Sequence, residues 1–239
     1  RCENEMNRKD FIEQNIRRVR AGIEEAAVRT GRDTAGVKLI AVSKNFPAED
    51  VAIAYRCGLK SFGENRVQEL MEKKGRVSDA GIEADWHLIG TLQRNKARFV
   101  TGQVSLIHSV DSERLMRTIE MLAAKAGIVQ DILLQVNVSG ELTKQGFEPA
   151  ETEEILRRTG ELDHIRVCGL MTMAPYYENP DKARHVFGGL RALRDRLAAL
   201  GIAGELPELS MGMSNDFIQA INEGATIVRV GSAIFGERV

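Results

Sequence analysis

The stretch Val37-Lys38-Leu39-Ile40-Ala41-Val42-Ser43 is a short, mostly apolar run that ends against Lys44. It reads as a strand buried on both faces, since it is too short for a helix and lacks a polar face. Upstream, residues 11–27 put Ile12, Ile16, Val19, Ile23 and Ala26 on one helical stripe. Downstream, Pro47 suits the first turn of a helix running to about Cys57, and Ser61-Phe62-Gly63 is a second strand followed by a helix from Asn65. The alternation continues. Strands are expected at 86–90, 106–110, 132–138, 167–171, 208–211 and 227–230. Helices are expected over 95–100, after a cap at Asp111 or Ser112, over 150–158, from Asn179-Pro180, over 217–223 and from Ala233. Eight strands alternating with helices predict a single α/β domain, a (β/α)8 TIM barrel with one extra helix before its first strand. The alternative is an open doubly wound sheet. A dinucleotide-binding sheet is disfavoured because no GxGxxG follows any strand.

Composition narrows the function classes. The chain has 239 residues, 43% of them apolar, with 33 basic and 34 acidic residues. This balance points to no nucleic-acid or polyanion partner, and no apolar run is long enough to span a membrane. Arg1 to Met6 is not followed by the apolar segment of a signal peptide. Met6 reads as a natural start behind an expression remnant, so residues 1–7 are expected to be a tail and 8–239 the barrel. Cys2, Cys57 and Cys168 are odd in number and form no CxxC, which indicates neither a disulfide framework nor a zinc cluster. Cys57 and Cys168 are expected to pack in the core, in a reducing, cytoplasmic setting. Asn137-Val138-Ser139 matches a glycosylation pattern that is idle without a secretory route.

In a barrel the site lies at the C-terminal ends of the strands. Those ends are Lys44, Asn65, Gly90, Ser109, Asn137, Thr172, Gly212 to Ser214, and Gly231-Ser232. Lys44 is the one lysine directly at a strand end. Partial desolvation there favours the neutral, nucleophilic amine that a Schiff base requires, against the alternative of a side chain turned into solvent. The loops after strands seven and eight are common phosphate seats. Ser214 is expected to cap the helix after strand seven, and Gly231-Ser232 opens the one after strand eight, where backbone N–H groups attract anions. Ordinary capping is the alternative. Together with Lys44, the seat suggests a phosphorylated carbonyl ligand. Arg229 shares its face of strand eight with Gly231 and is expected to point inward. It would then meet an aromatic ring nitrogen or form an internal ion pair with Glu or Asp. His87 and His108 are expected to be hydrogen-bonded core residues, and His164 and His185 solvated. Met171, Met173, Met211 and Met213 either wall a planar ligand or fill space. No Ser-His-Asp spacing, HExxH, P-loop or metal cluster occurs.

Several ordered blocks carry a family resemblance: 41–44 (Ala-Val-Ser-Lys), 62–69 (Phe-Gly-Glu-Asn-Arg-Val-Gln-Glu), 87–96, 169–173, 210–216 and 229–238. They resemble the pyridoxal 5′-phosphate (PLP) homeostasis proteins from roughly residue 8 to 238. The resemblance implies the barrel of the alanine racemase N-terminal type (PLP fold type III), without the second β domain. It implies Lys44 as the lysine that holds PLP as a Schiff base. Ser214, Gly231 and Ser232 match the phosphate seat, Arg229 the residue facing the pyridine nitrogen, and Asn65 a residue lining the pocket. Lys144 matches a lysine in the loop after strand five whose role stays open. The chain departs from the family pattern at Phe46, where many members carry a second lysine. An accessory lysine role is therefore in doubt here.

A cation at the ring nitrogen disfavours its protonation and weakens the ring as an electron sink. The expected function is therefore a carrier or buffer of PLP without strong catalytic activity, supplying apo PLP-dependent enzymes, as a monomer or weak homodimer. Two enzyme readings stand beside it: a minimal amino-acid racemase, and a phosphate-ligand barrel using Lys44 in aldolase-like chemistry. None of Tyr55, Tyr176 and Tyr177 has the context of a racemase's second proton-transfer group.

Overall fold

The computed structural model describes residues 7–141, 144–202 and 204–237. Cys2, most of the expected tail and Arg238 of the final sequence block lie outside them.

Eight parallel strands close in chain order into a barrel: β1 (Lys38–Val42), β2 (Ser61–Glu64), β3 (Asp85–Leu88), β4 (Leu106–Val110), β5 (Gln130–Gln135), β6 (Ile165–Met171), β7 (Glu208–Ser210) and β8 (Ile227–Val230). The closing pair aligns Lys38 with Ile227 and Ile40 with Arg229. Closure decides against the open doubly wound sheet. The helices are α1 (Arg8–Arg29), α2 (Ala48–Arg56), α3 (Val67–Asp79), α4 (Ala97–Val100), α5 (Glu113–Ala126), α6 (Thr152–Thr159), α7 (Arg184–Ala199), α8 (Phe217–Asn222) and α9 (Ser232–Phe235).

The extra helix is α1, as expected. Asn7, placed in the tail by sequence, caps it by accepting from the Asp10 N–H at 3.0 Å. Ile12, Ile16, Val19 and Ile23 on its inner face are almost fully buried. Each contributes about 1.5–3 kcal/mol relative to exposure. Other boundaries move by a few residues, β5 ending at Gln135 and α7 beginning at Arg184. Pro47 is the N-cap of α2 and not its first helical residue. Pro180 to Ala183 forms a separate 3₁₀ turn ahead of α7, with the Asn179 side chain accepting from the Asp181 N–H at 3.0 Å. Ser112 is the cap of α5. No helix among the described residues is long and apolar enough to cross a membrane.

Two apolar layers form. The larger lies between strands and helices and includes Phe62, Trp86, Leu134, Leu170 and Val228. The smaller, Ile40, Leu106, Leu133, Met171 and Ile227, comes from alternate strand positions and fills the barrel interior. Above it, the period-two positions that follow open into a cavity.

Candidate functional site

The cavity measures about 680 Å³ and is lined at the C-terminal ends of the strands. Its walls follow the strand period. Val42, Gln135 and Arg229 come from β1, β5 and β8, and Lys44, Asn65, Ile89, Met173 and Gly231 from the residues just after β1, β2, β3, β6 and β8. All six residues singled out by sequence, Lys44, Asn65, Ser214, Arg229, Gly231 and Ser232, line it.

Lys44 is half-buried, and its chain neighbours are tightly held. The Ser43 hydroxyl donates to Glu64 Oε1 at 2.6 Å, and Lys73 Nζ donates to the Ser43 carbonyl at 2.6 Å. Lys73 also reaches Glu64 Oε1 at 2.8 Å and Glu69 Oε1 at 2.7 Å. The Asn45 N–H donates to Glu69 Oε1. Asn45 has a left-handed backbone at φ 63°, which Asn tolerates better than most residues. A buried ion cluster from β2 and α3 thus clamps the backbone on both sides of Lys44. Burial pushes the Glu64 carboxyl up, although Lys73 and Ser43 pull against it. Burial also raises Glu69, but the bonds from Lys73 and Asn45 outweigh it and leave that carboxyl below its usual range. Glu64 Oε2 is buried without a hydrogen-bond partner. Sequence reading missed this clamp. Its signals were a glutamate closing an apolar strand and the Glu69–Lys73 pair at i,i+4.

The phosphate-seat residues are brought together, but not as expected. Asp216, and not Ser214, is the N-cap of α8, and its carboxylate accepts from the Met213 N–H at 2.6 Å. Ser214 Oγ instead accepts from the N–H groups of Gly231 at 3.1 Å and Ala233 at 3.3 Å. The loops after β7 and β8 are therefore tied together, and two backbone donors converge on one oxygen. The helices that follow have 6 and 4 residues, too short for a large macrodipole. The final helix also begins one residue earlier than expected, at Ser232. A Cβ on Gly231 would stand 3.2 Å from the Val42 carbonyl oxygen, which keeps this wall thin. At Gly90 a Cβ would meet the Asn65 carbonyl oxygen at 2.3 Å, so only glycine lets the end of β3 pass Asn65.

Arg229 is 4% exposed. The ion-pair alternative is not what forms: no carboxylate lies within salt-bridge distance among the described residues. One guanidinium nitrogen donates to Ser210 Oγ at 2.5 Å and the other to the Thr172 carbonyl at 3.0 Å. Burial lowers its pKa to about 10, with the charge of Asp216 acting in the opposite sense. It remains a cation at neutral pH.

His87 and His108 are buried and hydrogen-bonded, as expected. His164 is not simply solvated, because its ring and backbone N–H both meet Glu120, at 3.0 and 2.9 Å. The methionines divide: Met171 and Met211 fill core, while Met173 and Met213 line the cavity. Tyr176, set aside by sequence, stands on the rim and is 80% exposed. Phe46 is also a wall, with its ring 5.3 Å from that of Phe235. Lys144 pairs loosely with Glu141 at 4.0 Å and is not among the lining residues. Cys57 and Cys168 are half-buried and pack against the core, as expected, and burial pushes the Cys168 thiol up to about 11. The Asn137 side chain is buried and donates to the Glu141 carbonyl at 3.0 Å.

Residues 9–239 match the family model of the alanine racemase N-terminal domain. The chain is 48% identical to the pyridoxal phosphate homeostasis protein of Aquifex aeolicus, over 94% of this chain and 97% of that one. The chain belongs to the pyridoxal phosphate homeostasis protein family. Its counterpart in Pseudomonas aeruginosa is 39% identical, over 95% of this chain and 96% of that one. Among solved structures of the family, PipY of Synechococcus elongatus with PLP bound superposes at a TM-score of 0.82 with 35% identity, covering 94% of this chain and 100% of that one. Alanine racemase of Corynebacterium glutamicum superposes at 0.71 with 17% identity, covering 96% of this chain and 61% of the racemase chain, a likeness of fold alone.

Proposed function

We propose that this protein binds PLP as a Schiff base on Lys44 and acts in PLP homeostasis as a cytoplasmic carrier or buffer, without strong catalytic activity. The observation that carries the reading is one cavity lined together by Lys44, Asn65, Ser214, Gly231, Ser232 and the Arg229 cation. The residues fit the cofactor. Ser214, Gly231 and Ser232 would hold the phosphate, Arg229 would meet the ring nitrogen, and Asn65, Ile89 and Met173 would wall the ring. Bound PLP supplies a reactive aldehyde and an electron-withdrawing ring. Lys44 would tether the aldehyde. Arg229, itself a full cation, would keep the ring nitrogen unprotonated and so weaken carbanion chemistry.

Purified protein should carry a borohydride-reducible PLP adduct that maps to Lys44, and Lys44→Ala should lose it. An adduct retained in the same pocket by Lys44→Ala would refute the assignment. Loaded protein should pass PLP to an apo-enzyme in the presence of a trap for free PLP. Substantial Lys44-dependent turnover in a racemisation screen over the common amino acids would overturn the carrier role in favour of an enzyme.

A further inference from the structure

Beneath the cavity a line of polar side chains crosses the barrel interior. Arg229 donates to Ser210 Oγ at 2.5 Å, Ser210 Oγ lies 2.8 Å from His108 Nδ1, His108 Nε2 lies 3.1 Å from His87 Nδ1, and His87 Nε2 lies 2.9 Å from Asp85 Oδ2. The residues come from β8, β7, β4 and, for the last two, β3. Ser210 and His108 are 0% exposed and His87 is 1% exposed, so each link depends on the next. Asp85 begins β3, at the end of the barrel opposite the cavity, and is partly exposed.

The chemistry gives the line one direction. Asp85 is acceptor-only when ionised, and it also accepts from Ser61 Oγ at 2.9 Å and from Ser105 Oγ. Burial raises its carboxyl, but the bonds from His87, Ser105 and Ser61 outweigh that and hold it well below the usual range. His87 must therefore carry its proton on Nε2, leaving Nδ1 to accept from His108 Nε2–H. His108 Nδ1 then accepts from the Ser210 hydroxyl, whose oxygen accepts from Arg229. The reverse order would make His87 a cation and leave the Ser210 hydroxyl proton without an acceptor in a buried site. It would also add a second positive charge to an interior that already holds Arg229. Burial, the largest cause, pushes His108 well below its ordinary value.

We propose that Asp85, His87, His108 and Ser210 are positioning residues that form a one-way hydrogen-bond relay, fixing the orientation of the Arg229 guanidinium from the far end of the barrel. The role of that orientation at a cofactor ring rests on the function proposed above; the relay itself does not. The links between the buried cation and the partly exposed Asp85 carboxylate are each polarised in the same sense. Arg229 is thus held in place by hydrogen bonds to neutral groups and not by an ion pair.

The test uses the cofactor-free full chain labelled with ¹⁵N at histidine and arginine. His164→Gln and His185→Gln identify the two surface rings. Both remaining rings should show a protonated Nε2 and an unprotonated Nδ1. Arg229 should show separately resolved terminal N–H signals, lost in Ser210→Ala and retained in Ser210→Thr. A protonated Nδ1 in either buried ring of the parent protein would overturn the proposal, and so would Arg229 signals unchanged in Ser210→Ala. The parent measurement needs no core variant to fold. In loaded protein, Ser210→Ala should also shift the absorption maximum of the bound cofactor. Protein with these tautomers that takes up no PLP would keep the relay and sink the function. Protein that binds PLP on Lys44 with either ring reversed would do the opposite.

Discussion

Replacing Lys73 by Met tests the clamp behind Lys44. Lys73 Nζ makes three bonds, to Glu64, Glu69 and the Ser43 carbonyl, at 2.8, 2.7 and 2.6 Å. Methionine fills much of the same space but supplies no charge, so the fully buried Glu64 loses its counterion. Breaking a buried pair from one side costs about 3–5 kcal/mol. The protein limits that cost by protonating Glu64. From an ordinary carboxyl near 4.3, protonation at pH 7 costs about 4 kcal/mol, and less here because burial has already raised this carboxyl. The expected loss is therefore about 2–4 kcal/mol at pH 7. The sign with pH follows from linkage. A carboxyl raised in the folded state gives stability that is full below its unfolded value and is lost as pH rises through its folded value. In Lys73→Met the carboxyl rises further, so the gap from the parent protein should widen between about pH 5 and about pH 8. Urea unfolding across that range measures it. Adding Glu64→Gln to Lys73→Met removes the stranded charge and should recover part of the loss. A gap below about 1 kcal/mol at pH 7, or one that does not change with pH, would refute the argument.

Other outcomes follow from single contacts. Gly90→Ala places a Cβ 2.3 Å from the Asn65 carbonyl oxygen, so Asn65 must move; PLP affinity should fall at least about tenfold in an equilibrium titration. Ser214→Ala unties the loops after β7 and β8 and should lower stability by about 1 kcal/mol by chemical denaturation. It should also weaken retention of inorganic phosphate. The Asp85 carboxyl, held low in the folded state, contributes stability that is full above its unfolded value and lost as pH falls, so Asp85→Asn should flatten the acid limb of the stability curve. With its thiol raised to about 11, Cys168 should stay largely unalkylated at pH 8 in native protein and react fully in urea, as read by peptide mass mapping.

The sites read from sequence and those missed differ in how their signals are carried. Strand ends are local features. A short apolar run bounded by polar or glycine residues fixes both the strand and the position where it ends, so Lys44, Asn65 and Gly231 could be placed at the mouth from period and topology alone. Once the alternation implies a barrel, those ends must converge. Boundaries set by a single competing hydrogen bond were harder to read. Ser214 and Asp216 are both good caps on propensity. Asp216 holds the position because the loop turns back on Met213, which frees Ser214 to bridge to Gly231.

The relay and the clamp lie beyond local reading for another reason. His108 and Ser210 are 102 positions apart, and only closure and register of the barrel bring them within 2.8 Å. A histidine in a strand gives no sign of its partner, and Arg229 shows only that it must find one. Sequence left two partners open, an aromatic ring nitrogen or a carboxylate, the latter a local solution for a buried cation. The fold instead bonds the guanidinium to the Ser210 hydroxyl and the Thr172 carbonyl, while Asp216 acts on it through charge alone and Asp85 lies at the far end of the hydrogen-bonded line. That choice is consistent with a cavity meant for an anionic ligand. A carboxylate bonded directly to Arg229 would neutralise the cation, whereas a polarised neutral chain orients it and leaves its field directed into the cavity.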